Sequence, residues 1–148
     1  MKKLFAVLLL PMAVFLTSCS EMEQVSDSLK YVSEASDYIN DVNQFANELP
    51  SAAESAINDL NSTIQLEELL TEMQTEIEGF NMLEAPAMLE DIHYQVVEQN
   101  KELASGIEVY LENIEAKALS PELLEEIGLL EDIAVYNDLL TEIEKLSE

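Results

Sequence analysis

Residues 89–114 read LEDIHYQVVEQNKELASGIEVYLENI, and this stretch shows most clearly how the chain folds. Its apolar side chains recur at steps of three and four, which places them on one face of a helix. The inward positions are Leu89, Ile92, Val96, Leu103, Ile107, Tyr110, Leu111 and Ile114. Charged and polar residues occupy most of the remaining positions. The stretch therefore predicts an amphipathic helix with one buried face.

Three further segments carry the same pattern, and their ends are marked by breakers and caps. Pro50 lacks a backbone N–H and is expected to end the first segment. Ser51-Ala52-Ala53-Glu54 reads as a capping box for the second, and the polar run Asn61–Thr63 leaves open a break inside it. Ser120-Pro121 predicts the start of the last. The expected helices are 20–49, 51–80, 86–117 and 120–146.

The four expected helices have similar lengths and short connections. Helices of matched length with short connections favour antiparallel neighbours, so the sequence predicts an all-α, up-down-up-down four-helix bundle. A rival remains open at this point: a three-helix bundle in which the first helix is a partly detached stalk.

The chain begins as a signal peptide does. Met1-Lys2-Lys3 is a positively charged start, and the segment Leu4–Leu16 that follows is apolar, interrupted only by Pro11. An apolar run of about 10–14 residues suits a signal peptide better than a membrane-spanning helix, which needs about 20. The start of the chain therefore predicts a leader for export rather than a membrane span.

The leader ends in Leu16-Thr17-Ser18-Cys19, which resembles the bacterial lipobox: an aliphatic residue, two small residues and a cysteine. In that signal the cysteine thiol receives a diacylglycerol, and a dedicated peptidase cuts just before it. Cys19 is the only cysteine, so no disulfide can form within one chain. The resemblance implies a signal peptide over 1–18 and a domain over 19–148. It also implies that lipid on Cys19 holds this domain at the extracytoplasmic face of the cell membrane.

Downstream of Cys19 the chain resembles a group of small lipoproteins from Bacillus-type bacteria. The resemblance rests on the lipobox followed by Glu21-Met22-Glu23-Gln24, and on a helix rich in serine and asparagine that contains Leu29-Lys30-Tyr31-Val32. These relatives are themselves uncharacterised. The resemblance therefore implies a lipoprotein of a Gram-positive envelope and no particular activity.

The domain is strongly acidic. The whole chain holds 31 acidic residues and 6 lysines, and its formal charge is −25. The leader contains two of those lysines and no acid, so residues 19–148 carry 4 lysines against 31 acids, a charge of −27. Nucleic-acid binding needs a basic surface, so we expect no nucleic-acid partner.

Few residues suggest a catalytic or metal-binding role. Glu90-Asp91-Ile92-His93 contains a Glu-x-x-His motif, which two-metal helical bundles use in pairs. His93 is the only histidine, so one chain cannot build that site. We therefore interpret His93 as a residue at the core boundary. With no CxxC, P-loop or nucleophile-elbow pattern, we expect no catalytic residue, no cofactor and no metal site.

We interpret the acidic pairs and the tyrosines as structural residues with no role in binding or catalysis. Glu67-Glu68, Glu125-Glu126 and Glu131-Asp132 lack the converging loop geometry of a calcium site, so we interpret them as solvated surface. The five tyrosines are expected to pack at the edge of the core, where their hydroxyls stay in water. These tyrosines are Tyr31, Tyr38, Tyr94, Tyr110 and Tyr136.

The connection near residues 79–86 is unusually apolar for a loop, because it carries Phe80, Met82 and Leu83. In a bundle tethered at Cys19 this connection lies at the membrane end. Its three apolar residues are predicted either to cap the core or to face the membrane or a partner. Two functions stay open: a non-enzymatic module that contacts another envelope protein, and a protein that sequesters cations or handles metal.

Overall fold

The computed structural model describes residues 19–120, 122–131 and 133–147, and within these ranges it describes side chains from Ser26 to Leu146. The expected signal peptide over 1–18, which includes the first three lipobox residues, lies outside the described residues. Over the described ranges the chain is all-helical, as predicted. Its five helices are α1 (Cys19–Ala56), α2 (Leu60–Asn81), α3 (Glu90–Glu115), α4 (Leu123–Ile127) and α5 (Ile133–Ser147).

The long helices share one core. Helix α1 packs along α2 and α5, and α3 packs against α2, α4 and α5. From Tyr31 onwards α1 buries a continuous stripe of side chains, so it is not the detached stalk of the rival arrangement. The fully buried positions with the largest side chains are Tyr31, Tyr110, Tyr136, Ile39, Leu49, Leu66, Leu70, Leu89, Ile107 and Ile143.

Pro50 does not end the first helix, contrary to the prediction. Helix α1 continues to Ala56, and Pro50 lies inside it on the exposed side. A proline in a helix interior costs about 3 kcal/mol. Leu49, Ala53 and Ala56 are all buried on the core side of the same helix, and their packing outweighs that cost. The expected capping box at Ser51–Glu54 is therefore helix interior.

The chain turns between α1 and α2 at residues 57–59, just before the polar run Asn61–Thr63. Asp59 caps α2: its carboxylate accepts hydrogen bonds from the backbone N–H and the hydroxyl of Ser62, both at 2.8 Å. These bonds lower the pKa of Asp59. The polar run thus lies in the first turn of α2 and does not break it.

The predicted fourth helix, 120–146, is interrupted. Gly128 ends α4 with a left-handed φ of 71°, a conformation that favours glycine. The turn that follows buries Leu129 and leaves Leu130 half-buried, so the apolar pattern changes phase here. Leu129 packs tightly on α3 at Gly106, where an added Cβ would lie 2.4 Å from Leu129 Cδ1.

Candidate functional site

Polar side chains are concentrated in the core where α1, α2, α3 and α5 meet. Four aromatic rings and the imidazole of His93 surround a buried amide, and a second amide closes the group at the surface. We call this group the aromatic–amide cluster; it consists of Tyr31, Tyr38, Phe80, Asn81, His93, Asn100 and Tyr136.

Asn100 is the centre of the cluster and is completely buried. Its Oδ1 accepts hydrogen bonds from the hydroxyls of Tyr38 and Tyr136, the latter at 2.9 Å. Its Nδ2 donates to Oδ1 of Asn81 at 2.8 Å. These three partners lie on α1, α5 and α2, so one side chain of α3 joins the four long helices. A buried amide is costly unless it is hydrogen-bonded, and this one is.

His93 lies inside the core rather than at its boundary, since it is only 8% exposed. Its Nδ1 is 3.1 Å from the hydroxyl of Tyr31. The ring of Phe80 stacks between His93 and Tyr38, with centroid distances of 5.2 and 4.5 Å. Glu90, the other half of the Glu-x-x-His motif, is exposed. The motif therefore does not form a joint site.

The interpretation of the tyrosines as edge residues is wrong for most of them. Tyr31, Tyr38, Tyr110 and Tyr136 are between 1 and 4% exposed, whereas Tyr94 is 65% exposed. A sequence signal for the cluster does exist. Tyr31 and Tyr38 are seven residues apart on α1, and so are His93 and Asn100 on α3. A spacing of seven returns to the same helix face, so the two pairs can meet.

Burial keeps the titratable members of the cluster neutral. It raises the pKa of Tyr31 to about 12. It also raises the pKa of Tyr38 far above the ordinary value, with a further contribution from nearby Tyr136. Burial lowers the pKa of His93, so the imidazole stays uncharged at neutral pH. The cluster is thus a set of neutral donors and acceptors that bond to one another.

The acidic residues lie mainly on the surface. Among the side chains that the structure describes, no group of three or more His, Cys, Asp or Glu residues is placed to hold a metal ion. Of the acidic pairs named above, Glu68, Glu125, Glu126 and Glu131 are exposed, Glu67 is half-buried, and Asp132 lies outside the described residues.

One acidic feature becomes visible only in three dimensions. A groove of about 180 Å³ between α1 and α2 has Phe45 and Met73 among its lining residues. Four carboxylates share that groove, two from each helix: Asp41, Glu48, Glu72 and Glu76. Sequence spacing groups residues on one helix, so it does not reveal acids that two helices bring together.

The three apolar residues predicted for the α2–α3 connection have different surroundings. Phe80 belongs to α2 and is buried at 3% exposure, whereas Met82 is 79% exposed. Leu83 is half-buried against the core. Met88, which the sequence reasoning did not single out, is also exposed, at 57%. The hydroxyl of Ser28 donates to its sulfur at 3.7 Å, which places the connection beside the first part of α1.

These features define an acidic, all-helical protein whose core is tied together by a buried amide. Within the part of the chain that the structure describes, no helix has the length and apolar character needed to cross a membrane.

The chain belongs to DUF6376, a family of unknown function whose match covers residues 31–146. Every member of the aromatic–amide cluster falls within that range. The chain is also similar to an uncharacterised lipoprotein, YybP of Bacillus subtilis strain 168, with 34% identity over 130 residues and 88% of each chain covered. The predicted resemblance to uncharacterised Bacillus-type lipoproteins is thereby confirmed. No solved structure gives a significant match.

Proposed function

We propose that this protein is a lipoprotein of the cell envelope, exported through residues 1–18 and anchored by lipid on Cys19. The supporting observation is its similarity to a lipoprotein over 88% of the chain, together with the lipobox Leu16-Thr17-Ser18-Cys19. Helix α1 begins at Cys19, so the anchor is joined directly to a helix of 38 residues. Two acyl chains suffice for stable attachment. The domain then faces the extracytoplasmic side of the cell membrane.

Metabolic labelling with a palmitate analogue tests this anchor. The wild-type protein and a Ser20→Ala control should both take up label and sediment with membranes. Cys19→Ala should take up none, because it lacks the thiol that accepts the diacylglycerol. Label retained on Cys19→Ala would overturn the proposal.

We further propose that the domain is an antiparallel up-down-up-down four-helix bundle in which α4 and α5 together form the fourth member. In support, the neighbours α1–α2, α2–α3, α3–α5 and α5–α1 make a closed ring. Tyr31 meets His93 and Tyr38 meets Asn100, so α1 and α3 run in the same direction across the core.

A cross-link between α1 and α5 tests the ring. The exposed amides of Asn43 and Asn137 hydrogen-bond to each other in both directions at 3.0 Å. The double variant Asn43→Cys with Asn137→Cys should therefore be joined by a short bis-maleimide, which alkylates both thiols, and neither single variant should be. If the double variant is not joined, α5 does not lie beside α1.

We infer that the domain acts through protein contacts rather than catalysis. The polar groups of the aromatic–amide cluster bond to one another, while most of the charge is carboxylate on the surface. Affinity capture from membranes with the lipidated protein should recover an envelope protein that a lipidated acidic control protein does not. Recovery of the same proteins by both baits would contradict the inference.

A second candidate function, sequestration of cations, is favoured by the groove that Asp41, Glu48, Glu72 and Glu76 line. Carboxylates spread over two helix faces attract cations without enclosing one. Calorimetric titration with calcium and with iron decides between the functions. A saturable site with a defined stoichiometry, lost in Glu72→Gln with Glu76→Gln, would favour the second function over the first.

A further inference from the structure

The connection between α2 and α3 exposes an apolar surface that the core leaves uncovered. Residues 82–88 read MLEAPAM and contain one charge, Glu84, in a chain in which 25% of residues are charged. Met82 and Met88 are 79 and 57% exposed. An apolar patch on an otherwise acidic surface indicates a contact with something apolar. We call it the methionine patch; in it Met82, Ala87 and Met88 are exposed, and Leu83, Ala85 and Pro86 are half-buried.

The methionine patch lies at the end of the domain from which α1 leads back to Cys19. It lines a cavity of about 610 Å³ together with residues of α1, and the α1 side of that cavity is polar and charged: Asp27, Ser28, Lys30, Tyr31 and Glu34. Cys19 precedes Ser28 by nine residues of continuous helix, so roughly 14 Å of helix axis separates them at 1.5 Å per residue.

We propose that the methionine patch rests on the lipid bilayer that holds Cys19, which assumes the lipid anchor proposed above. The anchor tethers to a bilayer the end of the domain that carries this patch, so lipid is the apolar surface that it can meet without any further partner. Methionine side chains are flexible and adapt to an irregular surface such as lipid headgroups.

The contact requires α1 to be inclined. The headgroup region on each side of a bilayer is only about 6 Å deep. A helix α1 standing upright would hold the patch beyond that layer, whereas an inclined α1 brings Met82 and Met88 down to it.

Fluorescence of the lipidated protein in phosphatidylcholine vesicles tests the contact. In that protein the thiol of Cys19 carries the lipid, so Met82→Cys introduces the only free thiol. It is labelled with an environment-sensitive probe. The matched control is Leu60→Cys, because Leu60 is 76% exposed and begins α2 at its opposite end, about 30 Å away along the helix.

The probe at position 82 should shift to the blue on vesicles and be quenched by nitroxide-bearing headgroups, and the probe at position 60 should do neither. Adding Met88→Ser should reduce the quenching at position 82. Equal quenching at both positions would overturn the proposal. A blue shift in native membranes that is absent in pure lipid would also overturn it, because the patch would then bind a protein.

A thiol count made before labelling separates this proposal from the lipid anchor. Free thiol at Cys19 in the wild-type protein purified from membranes would contradict the anchor. The same count with a blocked Cys19 leaves the anchor standing while the two probes decide on the patch.

Discussion

The two ends of the core contain different kinds of side chains. Near the start of α1 the core contains the aromatic–amide cluster, where Asn100 must meet three partners at once. Toward the other end it is mainly aliphatic, with Leu49, Leu66 and Leu70 completely buried. Aliphatic side chains pack in many similar ways, whereas an amide is satisfied only at its own partners. The comparison suggests that the cluster sets the register of the helices and the aliphatic end adds hydrophobic stability.

Replacing the amide by an alkyl group of similar size should expose this difference most strongly. Asn100→Leu removes the acceptor that Tyr38 and Tyr136 share and the donor to Asn81. A buried polar group that loses its partner costs about 1–3 kcal/mol; because Tyr38 and Tyr136 also bond to each other, we expect a loss within that range. Urea unfolding followed by circular dichroism measures it.

The matched change at the aliphatic end is Leu70→Met. Volume-conserving apolar swaps usually cost less than about 1.5 kcal/mol. Equal losses for Asn100→Leu and Leu70→Met would mean that the cluster has no special role in specifying the core.

The same comparison explains what the sequence predicts and what it does not. Periodicity finds the stripe on α3 correctly, because Ile92, Val96 and Ile107 are apolar at a clean helical spacing and are all buried. It misses Asn100 and His93 on the same stripe. Their burial depends on partners from other helices, and no spacing within one helix records those partners.

Helix ends show a second limit of sequence reasoning. Pro50 has a strong local preference to end a helix, yet core packing on both sides of it prevails. The fourth segment is interrupted at Gly128, which has a left-handed φ of 71°, and only the folded chain shows that Leu129 then packs on α3 at Gly106. For the anchor the situation is reversed: the lipobox is a local signal, so Cys19 is predicted without any structure.

The core should resist added volume where Leu129 packs on α3 at Gly106. In Gly106→Ala the new methyl would lie 2.4 Å from Leu129 Cδ1, so Leu129 or the α4–α5 turn must move. Overpacking of this kind typically costs about 1–3 kcal/mol, and the helix preference of alanine inside α3 offsets about 1 kcal/mol of that. Thermal melting measures the loss.

Gly79→Ala is the matched control, since nothing lies within 4 Å of a Cβ at that position of α2. Alanine favours a helix over glycine by about 1 kcal/mol, so this variant should be slightly more stable than wild type. If both variants are stabilised, the contact between Leu129 and Gly106 is loose rather than tight.

The aromatic–amide cluster should make the protein sensitive to mild acid. Burial lowers the pKa of His93 below its ordinary value of 6.5. The unfolded chain therefore takes up the proton first, and stability is lost as the pH falls below 6.5 toward the lower pKa of the folded protein. Each unit by which the pKa is lowered corresponds to about 1.4 kcal/mol. His93→Gln keeps an acceptor for Tyr31 but does not titrate.

Unfolding measured between pH 7 and 5 compares His93→Gln with wild type. As the pH falls, wild type should lose more free energy of unfolding than His93→Gln. Parallel pH profiles would show that the pKa of His93 is the same in the folded and the unfolded protein.

Salt should have the smallest effect on stability, because it acts on charges at the surface rather than on either end of the core. A formal charge of −27 on residues 19–148 repels itself, and we expect the repulsion to be strongest in the groove that Glu72 and Glu76 line together with Asp41 and Glu48. Magnesium should therefore raise the melting temperature at low ionic strength. Sodium chloride at the same ionic strength is the control. It screens the charges over the same Debye length, about 10 Å at 0.1 M, so any extra effect of magnesium reflects cation attraction.

Each like-charged neighbour costs only a few tenths of a kcal/mol. The double variant Glu72→Gln with Glu76→Gln should thus melt slightly higher without magnesium and gain less from it. If magnesium raises the variant and the wild type equally, the groove is not where the repulsion is concentrated, and the charge acts evenly over the whole surface.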